Sequence, residues 1–265
     1  MASITVYASG LTVEVFDKVV EPPPPQPPPP QESAFFSDVF SSGDLSHVEN
    51  GCRWTDQANT RVITSPNGTS ALEFTFPTGT SDGDAWAEQR FSLGGNYPEL
   101  WMSYDLYIPQ NYVHRNGGGN NKAFSYFWSG DYGALTGPLL ATNFWPDGNG
   151  GSRLSQWMRT PTFGGRHLWA DDPVWIDSHG IISSDLGQWM HVVVHAKYAT
   201  EANNDGVYEI WKNGAKLIGI TNGDWYVPNA QGFDQGYLLG WANSGFDVET
   251  KLYIDNIKFS AQPLP

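Results

Sequence analysis

A chain of 265 residues with 40% hydrophobic and 14% aromatic side chains can bury a sizeable core, while its 16% charged residues fall well below the roughly 25% of an average soluble protein. Fourteen Lys+Arg against 28 Asp+Glu give a net charge of −14, which repels nucleic acid and anionic membranes and excludes both as expected partners. With Cys52 as its single cysteine, the chain has no intrachain disulfide and no zinc site of the Cys-x-x-Cys type.

In the first twenty residues, Ile4, Val6 and Ala8 alternate with polar positions, and Leu11, Val13 and Val15 do so again after Ser9-Gly10. The pattern predicts two short strands. So short a segment has no core of its own, so residues 1–20 are expected to dock onto a partner protein or a copy of themselves. Residues 21–32 hold eight prolines in twelve positions, a stiff polyproline II linker of about 35 Å at roughly 3.1 Å per residue. No basic n-region leads an apolar run, and no stretch approaches the roughly 18 apolar residues of a membrane span, so a soluble chain without a visible signal peptide is expected.

Residues 33–265 read as one all-β domain of short alternating runs separated by Gly, Asn, Asp and Pro. Strands are predicted over 71–76, 85–93, 100–108, 122–129, 139–145, 154–159, 189–198, 207–212, 237–241 and 251–260. That number of antiparallel strands fits a two-sheet jelly-roll sandwich. The phase of alternation assigns faces. In 189–198, Met190, Val192, Val194 and Ala196 face the core, leaving Trp189, His191, His195 and Lys197 open. In 100–108, Leu100, Met102, Tyr104, Leu106 and Ile108 face inward, against Trp101 and Tyr107 outward. In 85–91 the open set is Trp86, Glu88 and Arg90.

Twelve Trp and twelve Tyr are many for one domain, and sugar rings stack on aromatic faces. The expected glycan-binding residues are Trp101, Tyr107, Trp128, Trp145, Trp157 and Trp189, with Lys197 and Arg159; Trp189, His191, His195 and Lys197 are expected to share a groove with Trp101 and Tyr107. Between Arg115 and Arg166 the chain carries net charge +3 inside an otherwise acidic protein, a local focus for an anionic sugar. Removing the proton α to a uronate carboxylate needs a carboxylate neutraliser and a base. Arg90, Asn143 and Gln156 suit the first role; Tyr126, His191 and His195 suit the second. No organic cofactor is expected. Asp82, Asp84, Asp171, Asp172 and Asp255 offer oxygen ligands for a structural Ca²⁺, without EF-hand spacing. Asn67-Gly-Thr69 is a formal glycosylation sequon.

The run from Gly187 to Lys197, followed by Asn204 to Gly214, resembles the penultimate hairpin of concanavalin A-like jelly rolls, especially heparin lyase-like and glucuronan lyase-like polysaccharide lyases. Lys251 to Phe259 is similar to their last strand, and Tyr97 to Pro109 with Asn121-Lys-Ala-Phe to an early strand pair. The resemblance implies the fold over about residues 35–260, in a superfamily that also includes lectins, glucanases and virion surface proteins. Alginate lyases of this fold carry Arg-x-Glu-x-Arg, Gln-[Ile/Val]-His and Tyr-Phe-Lys-Ala-Gly strands; here only the Glu-x-Arg of Glu88 and Arg90 remains. The Glu-x-Asp-x-x-Glu strand of retaining glucanases is missing, so the two-carboxylate mechanism has no seat. The N-terminal layout resembles phage accessory proteins that dock by a terminal segment. The leading expectation is therefore a glycan-binding or surface-display accessory protein, on a virion or outside the cell. Its partners would be a polysaccharide or cell-surface glycan and a protein assembly such as a viral capsid. The second expectation is a polysaccharide lyase acting on a uronate polymer by β-elimination.

Overall fold

The computed structural model describes residues 4–8, 11–15, 34–78, 85–113, 115, 120–122, 126–128, 139–147, 152–160, 164–168, 179–201 and 203–265; at 4–8, 11–15, 120–122, 126, 128, 155–160 and 164–168 it describes the backbone alone. Residues 1–32 and 33–265 are two separate compact units. The first contains the antiparallel hairpin of β1 (Ile4–Ala8) and β2 (Leu11–Val15). Its register pairs Ile4 with Val15, Val6 with Val13 and Ala8 with Leu11, so the six aliphatic positions fall on one face.

The second unit begins with β3 (Phe36–Asp38), β4 (Val48–Glu49), β5 (Cys52–Ala58), β6 (Thr60–Thr64), β7 (Ser70–Phe76), β8 (Ala85–Tyr97) and β9 (Glu99–Tyr107). Where the sequence predicts one strand over 122–129, two short ones stand, β10 (Asn120–Lys122) and β11 (Tyr126–Trp128). Then come β12 (Leu139–Pro146), β13 (Ser152–Thr160), β14 (Gly164–Leu168), β15 (His179–Ile181) and β16 (Trp189–Lys197). The last four are β17 (Gly206–Lys212), β18 (Ala215–Gly223), β19 (Phe233–Ala242) and β20 (Thr250–Ser260). No helix occurs among the described residues.

These strands form two antiparallel sheets. One has ten strands, in the order β14-β13-β12-β10-β19-β8-β5-β4, with β11 between β12 and β19 and β15 beside β13. The other has eight, in the order β18-β17-β16-β9-β20-β7-β6, with β3 beside β20. The hairpin β17–β18 closes on Asn213 and Gly214, both at positive φ (50° and 79°), the chemistry that an Asn-Gly type I′ turn demands.

One core joins the two sheets as a jelly-roll sandwich. Met190, Val192, Val194 and Ala196 pair in register with Leu106, Tyr104, Met102 and Leu100, and all eight are buried, as alternation predicts. Leu140 and Phe144 of the ten-stranded sheet pack into the same cluster, as does Phe91, whose ring centroid lies 4.7 Å from that of Phe259 in the eight-stranded sheet. Burying each large aliphatic or aromatic side chain contributes roughly 1.5–3 kcal/mol. Buried polar links also cross between the sheets: the Thr142 and Tyr208 hydroxyls lie 3.0 Å apart, Thr60 Oγ1 donates to Gln89 Oε1 (2.9 Å) and Trp54 Nε1 donates to Asp38 Oδ2 (2.7 Å).

Candidate functional site

β8 alternates as the sequence predicts. Ala85, Ala87 and Phe91 enter the core, and Gln89, buried with them, donates to the Thr55 carbonyl and accepts from Thr60 Oγ1. Trp86, Glu88 and Arg90 take the outer face. Glu88 is nonetheless buried at 2% exposure, covered by neighbours on that outer face, and it accepts hydrogen bonds from Arg90 Nε (2.5 Å) and Trp86 Nε1 (3.3 Å). Burial works against the Arg90 charge, but the Glu88 hydrogen bond and charge, with Asp56 behind them, outweigh it and hold the guanidinium above its ordinary pKa. Arg90 is thus fixed in its cationic form with a defined orientation.

Space for this pair comes from a backbone inversion in β19. Leu239 and Gly240 both have positive φ (62° and 77°), a costly conformation for leucine. Simple alternation would point Leu239 outward beside Glu88; instead its side chain joins the core. Gly240 then sits beside Glu88: a Cβ there would lie 3.2 Å from Glu88 Oε2 and 2.6 Å from the Tyr237 ring. The inversion places a hydrogen atom where a leucine would fill the site.

Register carries the face across the sheet. Arg90 pairs with Tyr237, Gly236 with Phe127, Tyr126 with Ala141, Ala141 with Trp157, and Trp157 with His167. One row therefore runs through positions 90, 237, 126, 141, 157 and 167. The adjacent row takes Trp128, Leu139 and Arg159. Tyr237 itself is buried against Leu139 and Ala141. Asn143 and Trp145, half-buried, follow along β12, and Trp145 is in register with Arg153. Among the described residues, the half-buried Arg153 has no carboxylate partner, although Arg61, Arg115, Lys197, Lys212, Lys216 and Lys251 are all paired.

The five residues expected to serve a lyase do not come together. Arg90, Asn143 and Tyr126 belong to the ten-stranded sheet, whereas His191 and His195 are on the outer face of the eight-stranded one. Both histidines have both ring nitrogens engaged. His191 Nδ1 meets Asp105 Oδ1 (2.7 Å) and Nε2 the Pro265 carbonyl (3.1 Å); His195 Nδ1 meets Glu209 (3.0 Å) and Nε2 meets Glu99 (2.8 Å). The residues expected to share a groove with Trp101 and Tyr107 do share the outer face of the eight-stranded sheet, where β16 and β9 are paired in register. Trp101 is stacked between His195 (4.0 Å) and Trp211 (5.7 Å), Tyr107 lies between Trp189 and Tyr253, and Lys197 is paired with Asp205. Trp128, Trp145, Trp157 and Arg159 are on the other sheet. Alternation shows which face a residue takes, not which sheet its strand joins.

Asp255 has its carboxylate taken up by Thr69 Oγ1 and the Asn256 amide, and no cluster of three metal-ligating side chains occurs among the described residues. Asp82, Asp84, Asp171 and Asp172 lie outside those residues, as does the side chain of Gln156.

The His191–Asp105 pair predicts a pH dependence. The Asp105 hydrogen bond raises the His191 pKa above 6.5, overcoming burial; burial alone would raise Asp105, but hydrogen bonds from His191 and Asn256 lower it below 3.8. The histidine's share of stability is present below about pH 6.5 and lost as pH rises through its raised value, while the aspartate's is lost in acid. Wild type and His191→Gln should differ in unfolding free energy most near pH 5–6, by about 1 kcal/mol or less for so exposed a pair, and converge above pH 8. A difference that grows toward pH 8 would overturn the assignment.

No family model and no curated protein matches the chain. Solved structures do. A double variant of an alginate lyase in complex with an alginate trisaccharide superposes with a TM-score of 0.62 at 16% identity, over 87% of this chain and 99% of that one. An endo-β-1,4-glucuronan lyase from Trichoderma reesei gives 0.61 at 19% identity, over 87% and 96%. A glycoside hydrolase family 16 endo-glucanase from Bacteroides ovatus gives 0.54 at 13% identity, over 84% and 99%. At these identities the likeness establishes the fold, a concanavalin A-like jelly roll resembling polysaccharide lyases.

Proposed function

We propose that this chain is a polysaccharide lyase that cleaves a uronate-containing polymer by β-elimination on the outer face of its ten-stranded sheet. The observation that carries the reading is Arg90, held cationic and oriented by the buried Glu88, in register with a row that contains Tyr126 and beside an Asn143 whose amide has no hydrogen-bond partner among the described residues. Arg153 on the same face, which has no carboxylate partner among the described residues, suits an anionic polymer. That structures resembling this chain include an alginate lyase and a glucuronan lyase supports the same choice.

In this scheme Arg90, assisted by Asn143, neutralises the uronate carboxylate and so acidifies the proton on C5. Tyr126, in the same backbone row as Arg90, is assigned the role of the base that takes that proton. The C5–H electrons form the C4=C5 double bond, the C4–O4 bond breaks, and the departing O4 takes a proton from solvent water, to which the base returns the C5 proton. Incubation with a panel of uronate polymers should give rising absorbance in the unsaturated-product band and fragments whose new non-reducing ends carry the double bond. Fragments that have gained water, or none from any polymer that the chain binds, would overturn the proposal.

The glycan-binding reading without catalysis is favoured by one observation of its own, the exposed Trp86–Trp241 pair; retention of polymer without cleavage would identify it. Display on a virion rests on the layout of residues 1–32 alone.

A further inference from the structure

We propose that Trp86 and Trp241 form a sugar-binding subsite on which pyranose rings of the polysaccharide stack, distinct from the carboxylate-engaging position at Arg90. The inference rests on the reading of this face as the polysaccharide site and adds to it two residues that composition and alternation did not single out as glycan contacts.

The two indoles are 37% and 38% exposed, and no other Trp, Tyr or Phe among the described residues is as open. They stand on neighbouring central strands, in register with each other. Their rings are parallel within 5°, with centroids 5.2 Å apart, so each gives one face to the other while more than a third of each indole stays open. The Trp86 ring is held by its hydrogen bond to Glu88, and its backbone carbonyl accepts from Asn59 Nδ2 at 2.7 Å. This is a fixed, uncharged, flat surface whose exposure forgoes the burial that aromatic side chains usually obtain. Flat apolar surface rimmed by polar groups matches the C–H face of a pyranose.

Position ties the pair to the site. Trp86 and Arg90 are four residues apart on one strand, about 13 Å at roughly 3.3 Å per residue, the reach of two to three sugar units. Asn120 pairs with both Phe144 and Ala242, which puts Asn143 and Trp241 in one row two strands apart. A chain of sugars engaged at Arg90 and Asn143 therefore reaches the indoles only when it is several units long. Because stacking carries no net charge, its contribution should persist in salt that screens the arginines.

The test is binding of glucuronan and alginate oligomers, disaccharide and octasaccharide, by fluorescence titration at low and high salt. Proteins compared are wild type, Trp86→Ala/Trp241→Ala and Trp86→Phe/Trp241→Phe, with circular dichroism to confirm folding. The alanine pair should weaken octasaccharide binding roughly tenfold, with the larger relative loss at high salt and no change for the disaccharide, and the phenylalanine pair should restore most of it. Equal octasaccharide binding by wild type and the alanine pair overturns the subsite even if unsaturated product forms. So does a wild type that binds neither oligomer, or an alanine pair altered only in its self-association. Trp-dependent binding without cleavage instead sustains the subsite and removes the lyase reading.

Discussion

Substituting Arg90 by alanine should lower turnover of the uronate polymer by about a hundredfold to a thousandfold, the cost of deleting one donor aimed at charge that develops in a transition state. The same change strands the Glu88 carboxylate, buried at 2% exposure, without its cation, and breaking a buried pair in this way costs about 3–5 kcal/mol of stability. Two controls separate the effects. Arg90→Ala/Glu88→Gln removes the stranded charge and should recover most of the lost melting temperature without recovering activity. Arg90→Lys keeps the charge but loses the guanidinium geometry, so it should fold and remain at least tenfold slow. An Arg90→Ala protein with wild-type kcat/KM would mean that the chemistry takes place elsewhere.

Replacing Gly223 with alanine should be among the most damaging single-methyl additions in the molecule. Gly223 and Gly206 are register partners in β18 and β17, and the fully buried Trp225 indole lies across both. A Cβ on Gly223 would sit 2.1 Å from Trp225 Cη2 and Cζ3, and one on Gly206 would be 2.5 Å from Cε2. The ring has little freedom to retreat, because its Nε1 donates to the Lys197 carbonyl at 2.7 Å. Overpacking of this severity costs about 3 kcal/mol, or roughly 6–12 °C in melting temperature for a domain of this size. Scanning calorimetry of Gly223→Ala, Trp225→Leu and the double variant should show the double losing less than the sum of the singles, since the smaller side chain makes room for the methyl. A Gly223→Ala protein that melts within a degree of wild type would remove the steric argument.

Much of the fold was legible because it is local. Alternation in 189–198 and 100–108 identified the buried rows now seen in β16 and β9, and the outer set Trp86, Glu88 and Arg90 was readable from β8 alone. What could not be read is non-local. β8 pairs with β19, about 150 residues downstream, so nothing near Trp86 announces Trp241. Assigning strands to sheets requires the same long-range information, which is why histidines four residues apart on one strand were grouped with Arg90 on another sheet. The inversion at Leu239 and Gly240 defeats alternation outright, since Tyr-Leu-Leu-Gly-Trp reads as a regular strand with Leu239 outward. Gly206 and Gly223 gave no hint of Trp225, because a glycine that avoids an indole looks in sequence like any turn residue.

The carboxylates and cations that set the pH response of the eight-stranded sheet are separated from Arg90 by both sheets, which pack about 10 Å apart. Free-energy changes at sites separated beyond roughly 7–10 Å, with no shared partner, combine independently. Variants around His191, His195 and Glu209 can therefore be layered onto variants of Arg90 or the tryptophan pair, and their effects should sum. The sandwich gives this protein two surfaces that can be altered by separate rounds of mutation, one for tolerance of acid or alkali and one for the proposed choice of polymer, with little cross-talk through the core between them.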